Sequence, residues 1–314
     1  MLRYFVQRLL QAAIVLLGVT VVVFLLLQLV PGDPVRLALG TRFDPATYQA
    51  LRHRSGLDQP LLMQYVHYIS HAITGDLGVS FRSGQPVTTI VLQRLPATLS
   101  LAVTAVVLAL VIAFPLGVLS GIRSGSLLDH GARVFSQFGV SMPDFWTGIM
   151  AILLFTGVLG WLPPSGYVAL TDDPLGWAAH VIMPAGTVGL VTASILTRFI
   201  RSSVLEVLAE DYIRMADGKG IKRRIVVTRH VLRNALIPVV TVIAVQLASL
   251  LGGVIVVEVL FAWPGLGRLT YDAVQARDYP VLQGAVLFVA ALFLIVNLLV
   301  DLLYARLDPR ISVR

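Results

Sequence analysis

Long uninterrupted runs of apolar residues constrain this chain more than any other feature. Residues 9–30 and 97–119 carry no charge at all, and residues 134–159, 181–200, 237–257 and 281–305 carry at most one each. Each run is about the length an α-helix needs to cross a hydrocarbon core of roughly 30 Å. The expected fold is therefore all-α: a polytopic membrane protein with six transmembrane helices. A composition of 57% hydrophobic and 13% charged residues, with mean hydropathy +0.84, excludes a water-soluble globular domain. The chain has no cysteine, which excludes thiolate metal sites and disulfides.

The first run follows Arg3 and Arg8 and is followed by Pro31-Gly32-Asp33-Pro34 rather than by a small-residue cleavage site. At 22 residues it is also too long for a signal-peptide core, and it reads as an uncleaved first helix. The expected organisation is a first transmembrane helix over 1–30, an external subdomain over 31–96, a five-helix core over 97–305 and a tail over 306–314. Within the external stretch, Leu61, Tyr65, Ile69 and Ile73 form the apolar stripe of an amphipathic helix lying against the membrane domain. His67 and His71 share a face at i, i+4, a spacing that suits two metal ligands. Without a third ligand in reach, a packed or solvated pair is the better reading.

Charge gives the orientation. With the N-terminus inside, the cytoplasmic segments hold 16 of the 24 Lys and Arg residues, and the two short external loops hold only Arg268 and Arg277. The net charge of +7 is thus explained by topology, and nucleic acid is not an expected partner. Residues 201–236 form a charged cytoplasmic island with eight basic and four acidic residues between two apolar runs. Val204, Leu208, Tyr212 and Met215 recur at helical spacing, and Ile221, Ile225 and Leu232 resume the stripe after Gly218-Lys219-Gly220. Two short helices joined by a reversal at Gly218 or Gly220 are expected, forming a device that docks on a soluble partner.

The stretches DYIRMADGKG and RHVLRNALIPVVT resemble the "EAA" loop of ABC-transporter permeases of the dipeptide, oligopeptide and nickel type. Val30-Pro31-Gly32-Asp33-Pro34, Gly56-Leu57-Asp58-Gln59-Pro60, Gly75-Asp76-Leu77-Gly78, Arg94-Leu95-Pro96-Ala97-Thr98, FAWPGLGR, RDYPV and NLLVDLLYARLDPRI resemble the same branch, in order along the chain. The resemblance implies a type I ABC importer permease in the inner membrane of a prokaryote, working by alternating access. It implies a homologous second permease, making a heterodimer, and two ATPase subunits that bind ATP and Mg. It also implies an extracytoplasmic substrate-binding protein. The loop would dock on an ATPase through Glu210, Asp211, Tyr212, Arg214, Ala216, Gly218, Gly220, Arg229 and Asn234. Ala216 and Gly220 match the motif's Ala and Gly, Arg214 replaces its Glu, and Ala216-Asp217-Gly218-Lys219-Gly220 stands where the branch more often reads ARAKG.

No cofactor or catalytic residue is expected on the chain itself. There is no GxxxxGK followed by Ser or Thr, no HExxH and no GxSxG. Asp144 stands eleven residues beyond Arg133, about 16 Å along a straight helix and so near mid-membrane. It either lines an aqueous path or caps a turn restarted after Pro143. Gln246 and Glu258 are further path candidates. The Trp263-Pro264-Gly265 turn that follows Glu258 reads equally as part of an external gate or as an interfacial anchor. Ser249, Gly252 and Gly253 are small enough for a second permease to pack closely, or for this chain's own helices to do so. Peptides and nickel chelates are both compatible with the resemblance as substrates. A self-contained channel or secondary carrier would explain six spans but not the charged island.

Overall fold

The computed structural model describes residues 2–29, 31–39, 44–54, 56–252 and 254–307. Among them the chain is helical with no strand, apart from a single bridge between Val79 and Pro86. Five helices are long and apolar enough to cross a membrane: α1 (Leu2–Leu29), α5 (Val87–Ile122), α8 (Pro174–Leu208), the continuous rod of α10 (Arg223–Ile225), a π-helical turn (Val226–Val231) and α11 (Leu232–Leu251), and α14 (Tyr279–Leu307).

The expected span over 134–159 is not one rod. It is a pair, α6 (Leu127–Ser141) and α7 (Asp144–Ala151) with its π-helical extension Ile152–Val158, bent by 103° at Met142-Pro143. Pro143 has no amide hydrogen, and a proline disfavours helical geometry at the residue before it, so the helix ends at Ser141. Pro115 and Pro184, by contrast, stay inside α5 and α8.

Helices α5 and α8 are the spine of the bundle. Glycine lets their backbones approach: a Cβ on Gly117 would stand 2.7 Å from Ile200 Cβ, and one on Gly121 would stand 2.7 Å from Val204 Cγ1. Hydroxyls buried in α8 are satisfied within the helix, with Thr187, Thr192, Ser194 and Thr197 each donating to the carbonyl four residues back. One core cluster, from Leu101 and Ala105 to Phe261 and Trp263, fills one end of the bundle. A second, from Ala113 and Ile200 to Val231 and Ala235, fills the other and takes in Ile213 and Ala216.

The hydrophilic stretch after α1 builds α2 (Pro34–Leu39), α3 (Pro45–Arg54) and α4 (Leu61–Ile73). It ends at Pro86 rather than 96, because Val87–Pro96 are the first turns of α5. Helix α4 packs on α1 through Tyr65, whereas Leu61 and Ile73 of the expected apolar stripe stay exposed. Tyr65 packs against Phe24 with ring centres 5.3 Å apart and planes tilted by 60°, and shares a 3.0 Å hydrogen bond with Thr20, and Gln28 donates to Gln64 at 3.2 Å. Asp33 ties the subdomain together, accepting from Tyr48 Oη (2.7 Å), Arg52 (3.2 Å) and the amides of Val35 and Arg36. Burial works to raise its pKa, but the Tyr48 hydroxyl, the Arg36 and Val35 amides and the Arg52 guanidinium outweigh it and hold the carboxyl below the ordinary aspartate value.

Candidate coupling surface and gate elements

The charged island folds as one short helix rather than two. Helix α8 runs on to Leu208, α9 spans Asp211–Gly218, and the stripe from Ile225 to Leu232 belongs to the first turns of the α10–α11 rod. Helix α9 is amphipathic. Ile213 and Ala216 are buried in the core cluster at this end, while Tyr212, Arg214, Met215 and Asp217 face outward.

The reversal falls at Gly220, whose φ of +73° is left-handed, whereas Gly218 closes α9 as its last residue. A side chain at Gly220 would meet nothing within 4 Å, so the glycine is required by backbone conformation and not by crowding.

Most of the residues assigned to this surface do come together. Asn234 donates to Tyr212 Oη at 2.8 Å, joining α11 to α9. Arg214 reaches the Ala209 carbonyl at 3.0 Å and Asp211 at 3.4 Å, and Arg223 pairs with Asp217 at 2.8 Å across the turn. Glu210 precedes α9 as its N-cap, without a side-chain bond, and Arg229 is exposed on the rod. The pairs are exposed, so each contributes little to stability and remains available to a partner.

An ion pair beneath this surface lies outside the residues that the sequence singles out. Asp129, 1% exposed, accepts from Arg201 Nε at 2.5 Å and Nη2 at 3.0 Å and from the Gly125 amide at 2.9 Å. Ser126 Oγ caps α6 by accepting from the Asp129 amide. Its local signal is Ser126-Leu-Leu-Asp129, the capping-box form. Ser203 Oγ donates to the Ala235 carbonyl at 2.8 Å, so α6, α8 and α11 are locked together directly above α9.

At the other end, Glu258 does not line an open path. It is 1% exposed in α12 (Ile255–Leu260), accepting from Thr98 Oγ1 (3.3 Å) and the Arg268 amide (2.8 Å). A side chain on Gly265 would collide with this carboxylate, which accounts for the glycine.

Trp263 is fully buried, donates to the Ala97 carbonyl at 2.8 Å and meets Tyr167 edge-on. It is therefore a clamp between α5 and the loop leading to α13 (Leu266–Ala276), not an anchor at headgroup depth. Asp278, within the RDYPV stretch, accepts from Ser80 Oγ at 2.5 Å and the Phe81 amide at 3.1 Å, tying the 79–86 segment to the start of α14.

Asp144 is half-buried as the first residue of α7, with Pro143 at the N-cap and no side-chain cap bond. Its cap role is thus not realised, although a carboxylate in a first helical turn is favoured by the helix dipole. The depth estimated along a straight helix does not apply across the 103° bend. Gln246 is half-buried, Ser249 and Gly252 are exposed, and Gly253 lies outside the described residues. The rings of His67 and His71 lie 4.3 Å apart, tilted by 46°. Among the described residues no three His, Asp or Glu side chains gather to hold a metal ion.

Comparison with known proteins agrees with this architecture. Residues 113–313 match the family described as binding-protein-dependent transport system inner membrane component, and residues 1–102 match the N-terminal component of such systems. The dipeptide transport system permease protein DppB of Escherichia coli (strain K12) is 43% identical over 335 residues, covering 99% of each chain. DppB of Alkalihalophilus pseudofirmus is 39% identical, covering 99% of this chain and 100% of that one. An inward-facing structure of the MetNI methionine ABC transporter superposes with a TM-score of 0.57 at 17% identity, covering 70% of this chain and 96% of that chain, a likeness of fold alone. The chain belongs to the binding-protein-dependent transport system inner membrane components, in the dipeptide and oligopeptide permease branch of ABC importers.

Proposed function

We propose that this chain forms one half of the pathway of an ATP-driven importer of dipeptides or oligopeptides, with α9 as the element that docks on an ATPase subunit. The observation that carries the reading is α9 itself. It is rooted in the core by Ile213 and Ala216, presents Tyr212 and Met215 to solvent at 37% and 57% exposure, and is ringed by Arg214, Lys219, Lys222 and Arg223. An exposed apolar centre with a charged rim is the anatomy of a protein interface. ATP is bound with Mg and hydrolysed on two partner ATPases; the work of this chain is conformational. A homologous second permease completes the path across the face bearing Ser249 and Gly252, and an extracytoplasmic binding protein delivers substrate. Both termini and α9 lie in the cytoplasm, which the distribution of Lys and Arg supports.

Alternating access follows from differential contacts. Closure of the ATPases holds α9 in one of two positions, and the locked ends of α6, α8 and α11 follow it. The test is reconstitution of the complete importer in proteoliposomes with labelled dipeptides, oligopeptides and a nickel chelate as competing substrates. ATP-dependent peptide uptake, lost on replacing both Tyr212 and Met215 with Asp, is the expected result. Uptake of the nickel chelate alone would overturn the substrate, and full ATPase coupling in the double variant would overturn the docking role.

A further inference from the structure

Helix α4 carries more apolar surface than the rest of the chain covers. Its Tyr65 side meets α1. Leu62, Val66, Ile69 and Ile73 recur at i, i+4, i+7 and i+11 and so form a second stripe beside that contact. On this stripe Leu62, Val66 and Ile73 are each more than half exposed. The polar residues Gln64, His67 and His71 turn the other way, where they line a cavity of about 380 Å³ together with Asp33, Arg52 and Asp76. The helix is therefore divided into a polar side facing a charged hollow and an apolar side that this chain leaves uncovered.

What covers the stripe follows from where α1 holds it. The apolar span of α1, Phe5–Leu29, is centred near Leu17. At 1.5 Å per residue in an upright helix, Phe24 then stands about 10 Å and Gln28 about 16 Å from the midplane of a hydrocarbon core roughly 30 Å thick. Tyr65 packs on Phe24 and Gln64 bonds to Gln28, so α4 starts at the boundary between acyl chains and headgroups. The neighbouring surface of α1 is of the same kind as the stripe: Val22, Leu25, Leu26 and Leu29 are all more than half exposed. Charge points the same way. No Asp, Glu, Lys or Arg occurs from Leu61 to Ile73, and the nearest on either side are Asp58 and Asp76. A docking surface for a soluble protein keeps a polar rim around its apolar centre, as α9 does. An interfacial helix instead sinks its apolar side about 5–10 Å into the headgroup and acyl boundary.

We propose that α4 is a membrane-interface helix whose Leu62, Val66, Ile69 and Ile73 stripe lies among the acyl chains of the leaflet around the C-terminal half of α1. Gln64, His67 and His71 stay on the aqueous side, over the cavity. The placement needs only that α1 crosses the bilayer, and it is independent of what the importer carries.

The chain has no cysteine, so single thiols report on it cleanly. Leu62→Cys, Val66→Cys, Ile73→Cys and, on the polar side, His71→Cys are each labelled with bimane in the full chain and assembled with cysteine-free partner subunits in nanodiscs. Phosphatidylcholine bearing doxyl groups on its acyl chains should quench the three stripe positions several-fold more strongly than position 71, and iodide in the buffer should show the reverse order. Iodide quenching equal at all four positions overturns the proposal. So does shielding of the stripe from both quenchers, which would put a second permease on it, and so does loss of iodide quenching at the stripe only when binding protein is added. A second measurement needs no substitution: the wild-type chain is irradiated in nanodiscs containing a diazirine-tagged phospholipid, and its adducts are mapped by mass spectrometry. Adducts on the Leu61–Ile73 segment as well as on α1 support the proposal, and adducts on α1 without any on that segment overturn it.

Discussion

Replacing Asp129 with alanine removes the acceptor of a bidentate guanidinium and leaves Arg201, 22% exposed at its side chain, facing a hole where a carboxylate stood. Breaking a buried ion pair from one side costs about 3–5 kcal/mol, because the surviving charge is left without compensation. Arg201 retains a route to water, so the lower end, about 3 kcal/mol, is expected, and Arg133, 3.8 Å from the same carboxylate, loses its partner as well. That is roughly a hundredfold change in the unfolding equilibrium. The pair links α6 to α8, so the loss should appear as loosening of the α9 end. Equilibrium unfolding in mixed micelles of Asp129→Ala, Arg201→Met and the double variant measures it as a thermodynamic cycle. The double variant should be less damaged than the sum of the singles by about 1–3 kcal/mol. Coupling to ATP hydrolysis should fall in the single variants and recover partly in the double one. Additive losses, or a wild-type midpoint for Asp129→Ala, would refute the argument.

At Gly220, substitution by Ala should destabilise the turn by about 1–2 kcal/mol and by Asn distinctly less, because only φ is at issue; equal ATPase stimulation in wild type and Gly220→Ala would contradict this. The depressed pKa of Asp33 means that its contribution is present above the unfolded aspartate value of 3.8 and is lost as pH falls through the folded pKa. Protease sensitivity of the α2–α3 segment should therefore rise below about pH 4, and Asp33→Asn should remove that dependence. Leucine at Ser249 and Gly252 should reduce co-purification of the second permease without affecting insertion of this chain, and normal stoichiometry in that variant would place the seam elsewhere.

The runs of apolar residues make the helical class and the five rods legible, because in lipid the backbone must satisfy itself and length alone then marks a span. The run over 134–159 marks a sixth candidate span, a bent pair whose bend is not legible, because hydropathy registers composition and is blind to direction at Pro143. The island's location is visible in its charge, yet its second helix is absorbed into α11, since the helix runs on from Arg223 to Leu251 through a π-helical turn and past Pro238 without ending. Within the candidate site, Tyr212, Asn234 and Gly220 are legible through motif resemblance. Asp129 and Arg201 are not, because they are 72 residues apart and meet only once α6 and α8 are packed. Glu258 suggests a path residue on its charge alone. Its burial depends on Thr98 and on amides that only the α12–α13 turn brings to it.

Helix α8 is 35 residues long, about 52 Å at 1.5 Å per residue, and only Ala209 and Glu210 separate it from α9. It therefore acts as a single long lever, helical throughout although Pro184 removes one backbone hydrogen bond within it. A tilt of about 5° imposed at its α9 end displaces the opposite end by about 4–5 Å over that length. With α5 wedged against it at Gly117 and Gly121, two rods swing together, and the fulcrum must lie where the bundle is not glycine-packed. The elbow at Pro143 is a place where the chain can yield while its long members swing.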